Sequence, residues 1–147
     1  MTYPQPGVQT IVTEYCVPVQ IDNSAETNKE LLQRFRHVWT PDLRILDADS
    51  FELYRWNGYL PPAEFAAQLL VGLGHARLRL RQFDAATALY ALALQRFPTA
   101  LAAPEAQYFA AVSAYRKSGQ PSDLLHGWHE LEKTYPRTEW AVKQNFD

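Results

Sequence analysis

Apolar positions in the first half of the chain switch period several times. Behind a loop of Pro4, Pro6 and Gly7, Val8, Ile11, Val12 and Tyr15 recur at helical spacing, which predicts a short helix over residues 5–14. Cys16-Val17-Pro18-Val19-Gln20-Ile21 follows as a β-branched run and predicts a strand, with Pro18 confining it to an edge or a strand start. Asp22-Asn23-Ser24 is a turn, and Asn23 or Ser24 is expected to cap a helix over residues 25–35 that carries Leu31, Leu32 and Phe35 on one face. That helix stops before Thr40-Pro41, because a residue preceding proline is pushed out of helical space. Residues 43–46 and 51–56 then read as two strands joined by the polar turn Asp47-Ala48-Asp49-Ser50, so a β-hairpin is predicted. Gly58 breaks the second strand, and Pro61-Pro62 opens a new helix at the position where a missing N–H costs nothing.

From Phe65 onward the period is helical throughout, with breaks at residues 82–84, 97–99, 118–121 and 135–137. The punctuation changes too, from Val, Thr and Asp to Ala, Leu, Arg and Gln. The boundary is placed near residue 68, inside one continuous helix, giving segments 1–68 and 69–147. In the second segment Leu73-Gly74, Ala86, Tyr90, Ala93 and Pro98 form an ordered pattern with a steric logic. Gly74 and Ala86 let two antiparallel helices approach, Tyr90 fills their groove, and Pro98 ends the second helix. A looser copy follows at Ala111, Tyr115, Leu124, Trp128, Leu131 and Pro136. This pattern resembles the tetratricopeptide (TPR) repeat, in two units whose closing prolines stand about four residues further apart than the usual period of ~34. The extension is expected to be loop, containing Ala103-Pro104-Glu105-Ala106, and a short tail over residues 139–146 closes the chain. Two units fall short of the roughly three needed for independent stability, so the array must pack on the first segment or on another chain.

Residues 3–70 resemble the last two-thirds of a thioredoxin fold. Thr2-Tyr3-Pro4-Gln5-Pro6 stands where that family has a similar run just after its Cys-x-x-Cys motif, residues 16–22 look like its third strand, and Thr40-Pro41 looks like its cis-proline dipeptide. The hairpin and Gly58-Tyr59-Leu60-Pro61-Pro62 follow in the family's order. The resemblance implies an α/β domain, an incomplete thioredoxin-like fold, joined to all-α TPR-like hairpins. It also implies a surface around the proline that pairs with extended peptide. Three departures accompany it. The first strand, first helix and central strand are absent together with the Cys-x-x-Cys, Asp42 replaces the family's Thr after the proline, and Cys16 corresponds to neither redox cysteine. Without the central strand, the strand at residues 16–21 and that at 43–46 lack their shared neighbour. Either they close up directly or another chain completes the sheet, and self-association, as a homodimer, is expected because unpaired edges template pairing.

Composition removes alternatives more than it adds any. The 147 residues are 47% hydrophobic and 20% charged with a formal net charge of -2, which suits a folded globular chain and excludes a dedicated nucleic-acid surface. One cysteine excludes an internal disulfide and any multi-cysteine metal site. No leader pattern opens the chain and no run approaches the ~20 apolar residues of a membrane span, so a cytoplasmic protein without membrane contact is expected. His126 and His129 share a helix face with Glu130, but a third ligand is not evident, and the stretch reads as a solvated face with Trp128 inward. His37 reads as a cation at a helix C-terminus. Asp47-x-Asp49-Ser50 resembles the start of a calcium loop yet lacks its Gly and closing Glu, and reads as a turn. His75, Arg77, Arg79 and Arg81 concentrate positive charge near one helix end, with Arg77 on a groove position suited to an acidic peptide. No cofactor, metal or catalytic set is expected. The functional expectation is a redox-inactive interaction module that binds a protein or peptide through Trp39, Thr40, Pro41 and Arg77. The alternative is the remainder of a thiol–disulfide oxidoreductase whose Cys-x-x-Cys lies upstream of Met1.

Overall fold

In the computed structural model, which describes residues 2–144, the chain opens with helix α1 (Pro6–Tyr15), whose Val8 and Ile11 are buried while Pro6 occupies the first turn. After Cys16 the expectation fails. Residues 17–21 form no strand and make no backbone–backbone hydrogen bond, and Val17 and Val19 are 90% and 76% exposed. A strand exists only against a ladder partner. None lies beside this segment, and Pro18 removes one donor besides. The predicted helix over residues 25–35 also splits, into a 3₁₀ turn (Glu26–Asn28) and the short α2 (Lys29–Arg34). Its expected caps are engaged elsewhere: Ser24 donates through N and Oγ to Asp22 Oδ1, and Asn23 Nδ2 donates to Thr40 Oγ1 at 2.9 Å.

Strands β1 (Asp42–Leu46) and β2 (Glu52–Asn57) pair antiparallel, and they are the only sheet among the described residues. The register runs Asp42 to Asn57, Leu43 to Trp56, Arg44 to Arg55 and Ile45 to Tyr54, then slips so that Leu46 faces Glu52. The polar turn forms as expected: Asp47 Oδ1 accepts from the amides of Asp49 and Phe51 at 2.9 and 2.8 Å, and Ser50 takes a left-handed backbone (φ 64°). Leu43, Ile45 and Trp56 turn toward the core, as alternation along a half-buried sheet requires.

Helix α3 (Pro62–Arg79) is the axis of the molecule. Nearly every residue from Phe65 to Ala76 is buried, so its apolar character on all sides marks an interior helix rather than an amphipathic one. α1, the hairpin, α4 (Phe83–Arg96) and α5 (Ala103–Ser118) all pack against it. Two glycines of α3 permit close approaches to it. A Cβ on Gly72 would stand 2.5 Å from the Tyr54 ring, and one on Gly74 would stand 2.5 Å from the Tyr90 ring. Beyond α3 the helices pack each on its predecessor, α4 on α3, α5 on α4 and α6 (Pro121–Thr134) on α5. Ala86, Tyr90 and Ala93 line the α3–α4 contact from within, and Gly127 lies directly against Ala111 where α6 meets α5.

Ala103-Pro104-Glu105-Ala106, expected in a loop, instead open α5, because Pro104 falls in a helix's first turn where proline is favoured. The loop is the preceding stretch, whose Leu101 amide donates to Glu64 at 2.8 Å. A last helix, α7 (Glu139–Lys143), is capped by Thr138, whose hydroxyl accepts from the Ala141 amide at 3.3 Å. Its Trp140 packs on Tyr108 and Phe109, while Phe146, at the end of the expected tail, lies outside the described residues. Among the described residues no helix is long and apolar enough to cross a membrane.

Candidate functional site

The outer edge of β1 is open. Pro41 O accepts from the Gly58 amide at 3.0 Å, so Pro41–Gly58, Leu43–Trp56 and Ile45–Tyr54 are the hydrogen-bonded pairs of the hairpin. The backbone groups of Asp42, Arg44 and Leu46 therefore point away from β2, and none of them bonds to another backbone group among the described residues. The side chains of Asp42 and Arg44 bolt the hairpin to the segment before it. Arg44 donates to both carboxylate oxygens of Asp42 (3.2 and 2.7 Å), to Glu52 (2.5 Å) and to the carbonyl of Phe35 (2.6 Å), and its guanidinium lies 5.0 Å from the Phe35 ring centroid. Burial by itself would raise the Asp42 carboxyl, but the hydrogen bonds from Arg44 and His37 and the charge of Arg44 outweigh it and hold the group below its ordinary value. His37 is thus a partner of Asp42, at 3.4 Å through Nδ1, with Nε2 3.3 Å from Thr40 Oγ1. His37 stands at the C-terminal end of α2, as expected, its amide donating to Leu32 O at 2.9 Å, while its imidazole reaches across to the hairpin.

Trp39, Thr40 and Pro41 lie at the start of this edge, and the Thr40-Pro41 bond is cis. Trp39 is 70% exposed and its neighbour Val38 is more so, which puts the indole outside the core. Arg77 is elsewhere. Trp56 packs on Phe65, and twelve further residues of α3, about 18 Å of rise, separate Phe65 from Arg77. Arg77 Nη1 donates to Gln82 Oε1 at 2.9 Å across the α3–α4 turn. The four expected residues therefore divide into one cluster of three and one distant cation.

Cys16 is half-buried, and burial pushes its thiol up, against a smaller opposing effect of the Arg77 charge. A protonated thiol is a poor nucleophile, so this side chain is chemically quiet at neutral pH. His126 and His129 are exposed on α6, and no group of three metal-ligating side chains gathers among the described residues.

One polar cluster escaped the sequence reading. His75 is buried, not part of the surface charge at the end of α3. Its Nε2 lies 2.8 Å from Glu105 Oε1 and its Nδ1 3.0 Å from Tyr90 Oη, while its ring stacks on Tyr54 and meets Phe109 edge-on. Gln68 Nε2 donates to Tyr54 Oη at 2.7 Å. Burial, with a smaller contribution from the Glu105 carboxylate, pushes the Tyr54 phenol up to about 12, and burial likewise raises Tyr90. β2, α3, α4 and α5 all meet at this imidazole. The signal was in the sequence: His75 lies between Gly74 and Ala76 on a helix apolar on every side, where no residue reaches solvent.

Residues 2–71 match the family model of the thioredoxin-like domain, a span of just under half the chain. The match takes in α1, the hairpin and the first half of α3, and the remaining helices lie outside it. No curated protein matches the chain, and no solved structure does.

Proposed function

We propose that this chain is a redox-inactive interaction module, in which a thioredoxin-like domain and TPR-like helical hairpins together present a surface for an extended protein segment. The observation that carries the proposal is the open edge of β1, where the outward backbone groups of Asp42, Arg44 and Leu46 have no backbone partner. Exposed Trp39, with Thr40 and Pro41, flanks the start of that edge and offers apolar surface to the incoming segment. Strand addition of this kind takes affinity from main-chain hydrogen bonds and specificity from flanking side chains. Arg77 lies too far away to share that site and serves the α3–α4 turn. The TPR-like reading of α3–α6 is supported by the close approaches at Gly74 and Gly127 and by the full burial of Ala86 and Tyr90. Self-association belongs to the same proposal, since an unpaired edge and exposed apolar residues favour a second copy.

Amide hydrogen exchange of Asp42, Arg44 and Leu46, followed by NMR with and without a peptide copying residues 16–22, tests the edge. Exchange at these amides should slow by at least about tenfold when the peptide binds. Slow exchange already present in the dilute free chain would mean that the edge is closed, and the proposal would fail.

The thioredoxin-like match supports a second reading, a thiol–disulfide oxidoreductase whose Cys-x-x-Cys lies upstream of Met1. Within the given chain the only cysteine has a raised pKa and no second thiol to resolve a mixed disulfide. An in-frame Cys-x-x-Cys within about a dozen codons 5′ of the first codon would favour this reading. The chain as given should be blank in an insulin-reduction assay, and activity surviving Cys16→Ser would sink the redox-inactive reading.

A further inference from the structure

A hollow of about 350 Å³ opens where the α3–α4 turn meets the end of α5, lined by Leu78, Arg79, Arg81, Phe83, Val112 and Arg116. Its floor is apolar and its rim carries three guanidinium groups. Arg116 lies over the Phe83 ring, 6.0 Å from the centroid, and Arg81 takes a left-handed backbone (φ 60°) with its amide N–H donating a hydrogen bond to Leu78 O at 3.0 Å. None of the three arginines has a carboxylate partner among the described residues, whereas the neighbouring Lys117 is taken by Asp84 at 2.5 Å. Helix C-termini account for cations at Arg79 and Arg116. They do not account for Arg81, which lies beyond the last turn of α3, nor for the apolar hollow between the charges.

The geometry points to a second copy of this chain as the occupant, inserting its β1–β2 turn. That turn reads Asp47-Ala48-Asp49-Ser50-Phe51, and it is the complement of the hollow: Phe51 is 64% exposed, and Asp49 is exposed with no cation beside it. Phe51 would lie against Leu78, Phe83 and Val112 while Asp49 meets the arginines. The aromatic group supplies buried area, and the charges fix register and exclude wrong partners.

Both features lie at one end of the molecule. Trp56 packs near Phe65 and Tyr54 near His75, so following β2 back to its turn runs in the same direction as following α3 forward to Arg79. From Tyr54 to Phe51 is about 10 Å of strand, and from His75 to Arg79 about 6 Å of helix. A turn and a hollow on the same end allow a two-fold pairing in which each copy gives its turn and receives the other's, which closes without forming filaments. The inference rests on the self-association proposed above, and it gives that association a surface distinct from the edge of β1.

Sedimentation equilibrium on the full chain and three variants tests it at up to about 100 μM, where a dimer of micromolar Kd is well populated. Phe51→Ser and Arg81→Glu should each raise the dimer Kd at least about tenfold, and Asp49→Arg combined with Arg81→Glu should recover most of the loss. All three positions are exposed, and an unchanged helical circular dichroism signal verifies the fold. A chain that stays monomeric overturns both this inference and the self-association reading. A dimer indifferent to Phe51→Ser and Arg81→Glu overturns this inference alone and leaves self-association to another surface.

Discussion

The stack α3–α6 and the stretch from residue 17 to residue 41 both carry apolar residues, more densely in the stack, and they differ in how those residues are used. In the stack each helix lies on its predecessor, and the side chains between them, Tyr90, Ala86, Ala93 and Leu131, are buried. In the earlier stretch α2 touches no helix or strand besides the adjoining 3₁₀ turn, Val17, Val19, Val38 and Trp39 are exposed, and attachment depends on a few polar bonds to Asp42 and Arg44. Hydrophobic residues stabilise only where a second surface excludes water from them. The stack supplies its own second surfaces by repetition. The stretch before the hairpin does not, and its apolar groups remain available to another molecule.

The sharpest way to break this comparison is to remove an aromatic group from each region. Tyr90→Ala should cost about 4 kcal/mol, since it opens a cavity in the α3–α4 contact and leaves His75 Nδ1 without its partner. Urea denaturation measures the loss. If Tyr90→Ala changed stability by less than about 1 kcal/mol, the stack would not be the structural centre claimed for it.

Next in size is Gly74→Ala. Its Cβ would stand 2.5 Å from a Tyr90 ring that is fully buried and cannot swing aside, so a destabilisation of about 2 kcal/mol is expected in the same assay. The effect should largely vanish in a Tyr90→Ala background, because the clashing ring is then absent, and that non-additivity locates the strain.

The same core makes the protein sensitive to base. Burial pushes the Tyr54 phenol up to about 12 from an ordinary 10, and it raises Tyr90 as well. A raised phenol pKa means that the folded state retains a proton which the unfolded state releases. The stabilisation is complete below pH about 10 and is lost progressively as pH rises toward the folded values. Unfolding free energy should therefore fall steeply above pH about 10, and Tyr54→Phe should flatten the first part of that slope. An unaltered slope in Tyr54→Phe would remove Tyr54 from the explanation.

How far the sequence revealed this structure depends on where the stabilising partner of each residue lies. The hairpin, the stack and the roles of Gly74, Tyr90 and Pro98 were legible because their partners are close in sequence and impose a period. The strand over residues 16–21 was misread because β-branched alternation states a preference, and a preference becomes a strand only when a neighbour offers its hydrogen bonds. The opening of α5 was misread for a similar reason: spacing between repeats suggested loop, while Pro104 in fact starts a helix. His75 was misplaced because three arginines after it suggested surface. Its partners Tyr54 and Glu105, 21 residues before and 30 after it, are invisible to local pattern. The exposure of Trp39 could not be read at all, since an indole beside a proline fits a core as well as a surface.

The stretch before the hairpin should respond to acid rather than base. Asp42 has a lowered pKa, so its contribution is present above the ordinary value near 3.8 and is lost as pH falls through the folded value. Limited proteolysis with an acid-active protease should find cleavage within residues 23–41 at pH about 3 before the stack is cut, and Asp42→Asn should bring the same cleavage to neutral pH. Simultaneous cleavage of both regions would mean that they unfold as one unit.

The smallest effect on stability is expected at the most exposed aromatic group. Trp39→Ala removes a side chain with little contact to the rest of the chain, and its change in unfolding free energy should stay within about 0.5 kcal/mol. Its effect on association should be much larger, because an apolar group left outside the core stabilises nothing until a partner covers it. Intrinsic fluorescence separates the two outcomes, since the solvated indole should shift to the blue when a segment docks on the β1 edge. A Trp39→Ala chain that unfolds with the wild type but no longer protects the Arg44 and Leu46 amides would place the binding function in the thinly packed region. A Trp39→Ala chain that loses stability as Tyr90→Ala does would erase the distinction between the two regions.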